Sequence, residues 1–147
     1  MQGRLTADIE ALLSETGEAA VYAPLAIGHH VDHQLVRDVA LALQARVRRT
    51  LFYEDFPYVW WEIRERSDEP SPQQPAPRPA VLPPGDWKPA LQAVDVEPKI
   101  AAIACYTSQI PDLFGDEAAM ADAVREYAWA VGGDHAAERF WKLVSSL

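Results

Sequence analysis

Four stretches of the chain place apolar residues at intervals of three and four, the period at which an α-helix returns to the same face. Leu5, Ile9, Leu12 and Leu13 do so over residues 4–16, with Gly17 just beyond as a stop. Leu35, Val36, Val39, Ala40, Leu43 and Val47 repeat the pattern, and Ile100, Ile103 and Ala104 share one side of residues 97–109. Residues 116–131 form the fourth, ending at Gly132-Gly133. Between these lie apolar runs of strand length. Ala19 to Ile27, closed by Gly28, predicts a buried strand, Thr50 to Tyr53 a second, and the weakly alternating Leu91 to Val96 a third. Residues 19–54 therefore read as strand, helix, strand, a βαβ unit with parallel strands. The segment Glu138 to Val144 fits a strand or a helical turn, because its period does not separate them. The class predicted is α/β, a parallel sheet with flanking helices.

A chain of 147 residues, 49% of them apolar, can bury one core, so a single domain over residues 1–147 is expected. From Glu69 to Pro84, seven prolines fall among Ser, Gln, Ala and Arg, which deprives the backbone of donors and predicts a surface loop over residues 69–85. The 13 basic and 22 acidic side chains leave a net charge of -9, which argues against nucleic acid and anionic membranes as partners. Arg46, Arg48 and Arg49 close a predicted helix, where cations favour the dipole and a solvated face is the expectation. No stretch approaches the roughly 20 apolar residues of a membrane span. The single cysteine, Cys105, precludes an internal disulfide and reads as a small buried apolar residue. These features together predict a soluble, cytoplasmic protein.

The densest chemistry is Gly28-His29-His30-Val31-Asp32-His33, between a predicted strand end and a predicted helix start, where ligands bind in parallel α/β sheets. An imidazole there could hold a metal while the helix N-terminus and a second imidazole stabilise negative charge developing on a substrate oxygen. The competing reading makes Asp32 a helix N-cap and the histidines incidental loop residues. Two histidines three apart do not decide between the two. His135, after two glycines, reads as a surface residue, and Trp60 and Trp61 as neighbours on a strand divided between core and surface.

The run Pro24 to Asp38, centred on His30-Val31-Asp32-His33, resembles the second metal motif of the PIG-L/LmbE-type zinc-dependent N-deacetylases. Phe52-Tyr53-Glu54-Asp55-Phe56-Pro57-Tyr58, Lys99 with Tyr106-Thr107-Ser108-Gln109, and Glu138-Arg139-Phe140-Trp141 extend the resemblance over nearly the whole chain. It implies a Rossmann-like fold and removal of an acetyl group from an N-acetylated sugar, such as an N-acetylglucosamine, or a similar small amide. It also implies zinc as cofactor, His33 as a zinc ligand, and His30 as the group that assists the tetrahedral intermediate. Asp32 would orient an imidazole, and Tyr53, Glu54 and Asp55 would contact substrate.

The same family carries a first metal motif, Ala-His-Pro-Asp-Asp, which supplies further zinc ligands and the general base. No His-Pro-Asp-Asp occurs in this sequence. The resemblance therefore implies the C-terminal part of such a deacetylase, with a partial sheet and an incomplete zinc site. Inactivity of the isolated chain is expected, as is an open sheet edge that a partner chain or second copy would cover. The alternative is a non-catalytic remnant acting as a sugar-binding or interaction module.

Overall fold

The computed structural model describes residues 2–16, 19–47, 49–66, 79 and 81–145. In chain order these form α1 (Gln2–Thr16), β1 (Ala20–Pro24), α2 (Val31–Leu43), β2 (Arg49–Tyr53), α3 (Tyr58–Arg66), β3 (Asp86–Ala93), α4 (Val96–Ala104), α5 (Ile110–Phe114), α6 (Glu117–Gly132) and β4 (Ala137–Ser145). The class is α/β, as the periodicity predicts. The predicted loop over residues 69–85 lies outside the described residues except at 79 and 81–85.

The strands form one sheet in the order β1-β2-β4-β3. β1 and β2 pair in parallel, from Ala20 opposite Arg49 to Pro24 opposite Tyr53, with α2 as the crossover between them. This is the predicted βαβ unit. β4 then pairs antiparallel to β2, with Phe52 opposite Trp141 and Tyr53 opposite Phe140, so the sheet is mixed rather than all parallel. The undecided segment Glu138 to Val144 is thus a strand. Arg139, Phe140 and Trp141 are all buried, so both faces are covered there, and alternation sets in only from Trp141 onward, with Leu143 buried and Lys142 and Val144 exposed.

The chain divides into two compact units. The first comprises residues 1–55, 79–90 and 140–147. Its core gathers Ala23, Leu25 and Ile27 with Val39, Ala40 and Leu43 of α2 and Leu51 and Phe52 of β2, all buried. Phe52 meets the edge of Trp87 with ring centroids 5.3 Å apart, and Tyr22 meets Phe140 edge-on at 5.6 Å. The indole N–H of Trp141 donates to Glu54 Oε1 at 2.7 Å, which gives a buried carboxylate and a buried N–H each a partner.

The second unit comprises residues 56–78 and 91–139. Ile110, Met120 and Val124 form a buried cluster, with Phe56, Ile100, Ile103, Ala104 and Phe114 packed against it. α6 begins where Asp116 accepts from the Ala119 N–H at 2.8 Å and ends at Gly133, whose φ of 79° suits glycine. Two expectations change here. Trp60 and Trp61 lie on a helix, α3, and not on a strand; the Trp60 ring is buried and Trp61 half-exposed, a division that successive positions on a helix achieve as readily as alternation on a strand. Cys105 is exposed, because it caps α4, a nine-residue helix none of whose residues is fully buried.

Truncating Phe52 to alanine would empty the centre of the first unit, and about 3–5 kcal/mol of stability should be lost. Urea melts of the wild type and Phe52→Ala measure this.

Candidate active site

The site is built at the carboxyl ends of the two parallel strands. Pro24, without an N–H, ends β1, and the Leu25 N–H adds one last bond to Tyr53 O at 3.0 Å. The chain then reverses: Ala26 and His29 take φ of 64° and 59°, Gly28 takes 85°, and the His29 N–H closes the turn on Ala26 O at 3.1 Å. Positive φ at two non-glycine residues is costly, so the surroundings must hold the turn. Leu25, Ala26 and Ile27 are fully buried, and the Gln34 side-chain amide donates to His29 O at 2.6 Å.

α2 starts directly after this turn. Its N-cap is His30, whose Nδ1 accepts from the Asp32 N–H at 3.3 Å. The capping role considered for Asp32 therefore belongs to His30, because the helix begins at Val31, two residues earlier than that reading requires. Asp32 lies in the first turn with an exposed carboxylate, where its charge suits the helix dipole. Its Oδ2 is 3.9 Å from His30 Nδ1. The His30 and His33 rings lie 5.2 Å apart between centroids.

His33, one turn along the helix from His30, meets Asp55. Its Nδ1 is 2.6 Å from Asp55 Oδ1, with the His33 side chain 38% and the Asp55 side chain 1% exposed. The two atoms are in close contact, but the approach is not aligned as a hydrogen bond, and both are buried without an aligned hydrogen-bond partner among the described residues. The second carboxylate oxygen of Asp55 accepts from the Ile27 N–H at 3.0 Å. Burial pushes the Asp55 carboxyl above its ordinary range, opposed by the Ile27 hydrogen bond and by His33. Tyr53, at the end of β2, is partly exposed, and its phenol is raised by burial and by the neighbouring Asp55 charge. Glu54 points inward to Trp141.

The structure thus brings His30, Asp32, His33 and Asp55 to one end of the sheet, with Tyr53 at its rim and Glu54 beneath. Ile27 and Gln34 also hold the site, and the sequence offered no sign of them: one acts through its backbone and the other bonds a carbonyl five residues away. His135 is a surface residue paired with Asp134 at 2.6 Å, as expected.

A catalytic zinc requires about three protein ligands. His33 suits one of them, with one ring nitrogen on a carboxylate and the other available. Among the described residues, however, no three His, Cys, Asp or Glu side chains come together as a metal site. The residues present do not complete one.

No family model matches the chain, and no curated protein matches it closely. Solved structures do. The zinc-inhibited form of the teicoplanin deacetylase Orf2 is 25% identical with a TM-score of 0.74, and the match covers 99% of this chain and 52% of Orf2. The fold is that of PIG-L/LmbE-type deacetylases. The A40926 pseudoaglycone deacetylase Dbv21, 26% identical with a TM-score of 0.72, matches over 99% of this chain and 57% of its own. A teicoplanin-pathway deacetylase in complex with bog is 25% identical, with a TM-score of 0.72 and coverage of 99% and 53%. The chain spans little more than half the length of the deacetylases whose fold it shares.

Within this fold the His30 cap has a measurable role. His30→Ala should cost about 0.5–2 kcal/mol in a urea melt, while His30→Asn, which restores a capping oxygen, should cost only a few tenths.

Proposed function

We propose that the chain carries the histidine-bearing part of the active site of a zinc-dependent deacetylase acting on an N-acetylated sugar or similar small amide. The observation that carries this reading is the His33–Asp55 pair at the carboxyl end of parallel strands: a half-exposed imidazole held through Nδ1 by a buried carboxylate, as metal-binding histidines are. His33 is the proposed zinc ligand. His30, half-exposed beside it and accepting at Nδ1 from the helix backbone, presents Nε2–H, a donor suited to an oxyanion. Asp32 adds negative charge beside His30. Tyr53, Glu54 and Asp55 were expected to touch substrate; of the three, Tyr53 has the exposure for it.

Zinc in such enzymes supplies an acidified water and polarises the amide carbonyl. With one suitable ligand among the described residues, this chain by itself is proposed to bind zinc weakly and to lack hydrolysis. Further ligands on another polypeptide segment, docked along the β1 edge of the sheet, would complete the site. A cytoplasmic setting without nucleic acid or membrane partners is part of this reading, and the net charge of -9, which disfavours anionic partners, supports its second half. The absence of a three-ligand group among the described residues favours one second reading, a non-catalytic sugar-binding or interaction module derived from such an enzyme.

Calorimetric titration of zinc into the metal-stripped chain and into His33→Ala tests the first reading. Weak binding that disappears in His33→Ala is expected, with no release of acetate from N-acetylglucosamine. Zinc binding indifferent to the substitution would remove His33 from the site.

A further inference from the structure

The second unit contains an apolar pocket of about 230 Å³, lined by none of the residues proposed for deacetylation. Its walls are Phe56 and Pro57, just before α3, Ile103 of α4, and Ile110, Leu113 and Phe114 of α5. Tyr106 and Gln109, both exposed, complete the lining at its mouth. None of these side chains is charged, although 24% of the chain's residues are. The ammonium of Lys99, 5.6 Å from the Phe56 ring centroid, is paired with Glu138.

The backbone around the pocket is occupied as well. The Tyr106 N–H donates to Ile103 O at 2.9 Å, the Gln109 N–H to Tyr106 O at 2.9 Å, and the Leu113 N–H to Gln109 O at 3.0 Å. Pro57 has no N–H, and its carbonyl accepts from the Trp60 N–H at 2.9 Å. Water inside such walls has few partners, so a hydrocarbon group displaces it at little cost. The walls are fixed beforehand: Phe56 stacks on Phe114 with centroids 5.8 Å apart and lies 5.5 Å from the Tyr127 ring, while Ile110 belongs to the buried cluster with Met120 and Val124. A ligand therefore does not have to open the space it enters.

Size and chemistry select the occupant. A dry apolar cavity of about 150 Å³ accepts benzene, so this larger one has room for a ring with a short tail. It is a pit between two short helices and not the long groove that a partner helix fills with residues from successive turns. The rings of Phe56, Tyr106 and Phe114 offer stacked or edge-on contacts to an aromatic guest. An anion would meet no cation in the lining and a chain with a net charge of -9.

We propose that this pocket binds the aromatic end of a small uncharged amphiphile, with the ring inside and the polar tail at the mouth beside the Tyr106 hydroxyl and the Gln109 amide. The site is independent of the deacetylase reading and stands or falls apart from it.

The test is a titration of phenylpropanol into the full chain, followed by carbon-13 NMR of the methyl groups. Saturable shifts are expected at Ile103, Ile110 and Leu113, with a Kd on the order of 1 mM, the strength available to so small a molecule. Phenylpropanoate, equal in bulk but anionic, should bind several-fold more weakly. Leu113→Trp puts a ring of the protein's own into the cavity and should abolish the shifts at Ile103 and Ile110. Tyr106→Ala removes a side chain that is 66% exposed, which the fold does not need, and should weaken binding about 2–10-fold. Shifts that fail to saturate, or that scatter over exposed apolar residues such as Leu12 and Trp129, overturn the proposal. So do phenylpropanoate binding as tightly as the alcohol and a folded Leu113→Trp that binds like the wild type. If Leu113→Trp does not fold, an unchanged affinity in Tyr106→Ala overturns it instead.

Discussion

A buried carboxylate is unstable unless each oxygen has a donor, and at the end of β2 this requirement organises everything around it. Asp55 follows the last paired strand residues, where the backbone leaves the sheet, and its oxygens meet the two neighbouring pieces of chain, the Ile27 amide by a hydrogen bond and the His33 ring by a close contact. Without the first, a turn with positive φ at Ala26 and His29 would relax toward ordinary geometry. Without the second, His33 would be an exposed helix residue free to rotate. The cost of burial is visible in the carboxyl itself, whose proton affinity is raised even with both partners in place.

The parallel pairing of β1 with β2 is what makes this possible. It brings both strand ends to the same edge of the sheet, so the loop after β1 and the first residues after β2 meet, although Ile27 and Asp55 are 28 positions apart. α2 then starts from the loop and aims its first turn across the strand ends. Glu54, one residue before Asp55, faces the other way and takes the Trp141 N–H, which ties β2 to β4 beneath the site. Consecutive carboxylates thus serve opposite faces, the consequence of an extended backbone.

The period of three and four made the longer helices legible, and the βαβ unit followed from a strand-length run on either side of α2. β4 was not legible, because whether Glu138 to Val144 is a strand depends on β2 being available to pair with, a fact of tertiary structure. α3 was hidden by its aromatic run, Tyr58 to Trp61, whose composition favours strands although the structure makes it a helix. The His30-Val31-Asp32-His33 cluster stood out at once, and its place at a strand end was correctly anticipated. A second carboxylate, from a distant part of the chain, was not. Sequence neighbours suggested Asp32 as the carboxylate for an imidazole, and the structure sets it 3.9 Å from His30 while placing beside His33 a carboxylate 22 positions later. Adjacency in sequence is a poor guide where two strand ends converge.

Amide hydrogen exchange at Ile27 tests the central claim most directly. The Ile27 N–H pairs with a side chain and belongs to no ladder, so the hydrogen bond that protects it is the one to the carboxylate of Asp55. The account predicts that it exchanges as slowly as the amide of Phe52 in β2, opening only when the first unit unfolds. Exchange as fast as at Gly28, on the exposed tip of the same turn, would mean that Asp55 does not hold the turn, and the site would lose its organising contact.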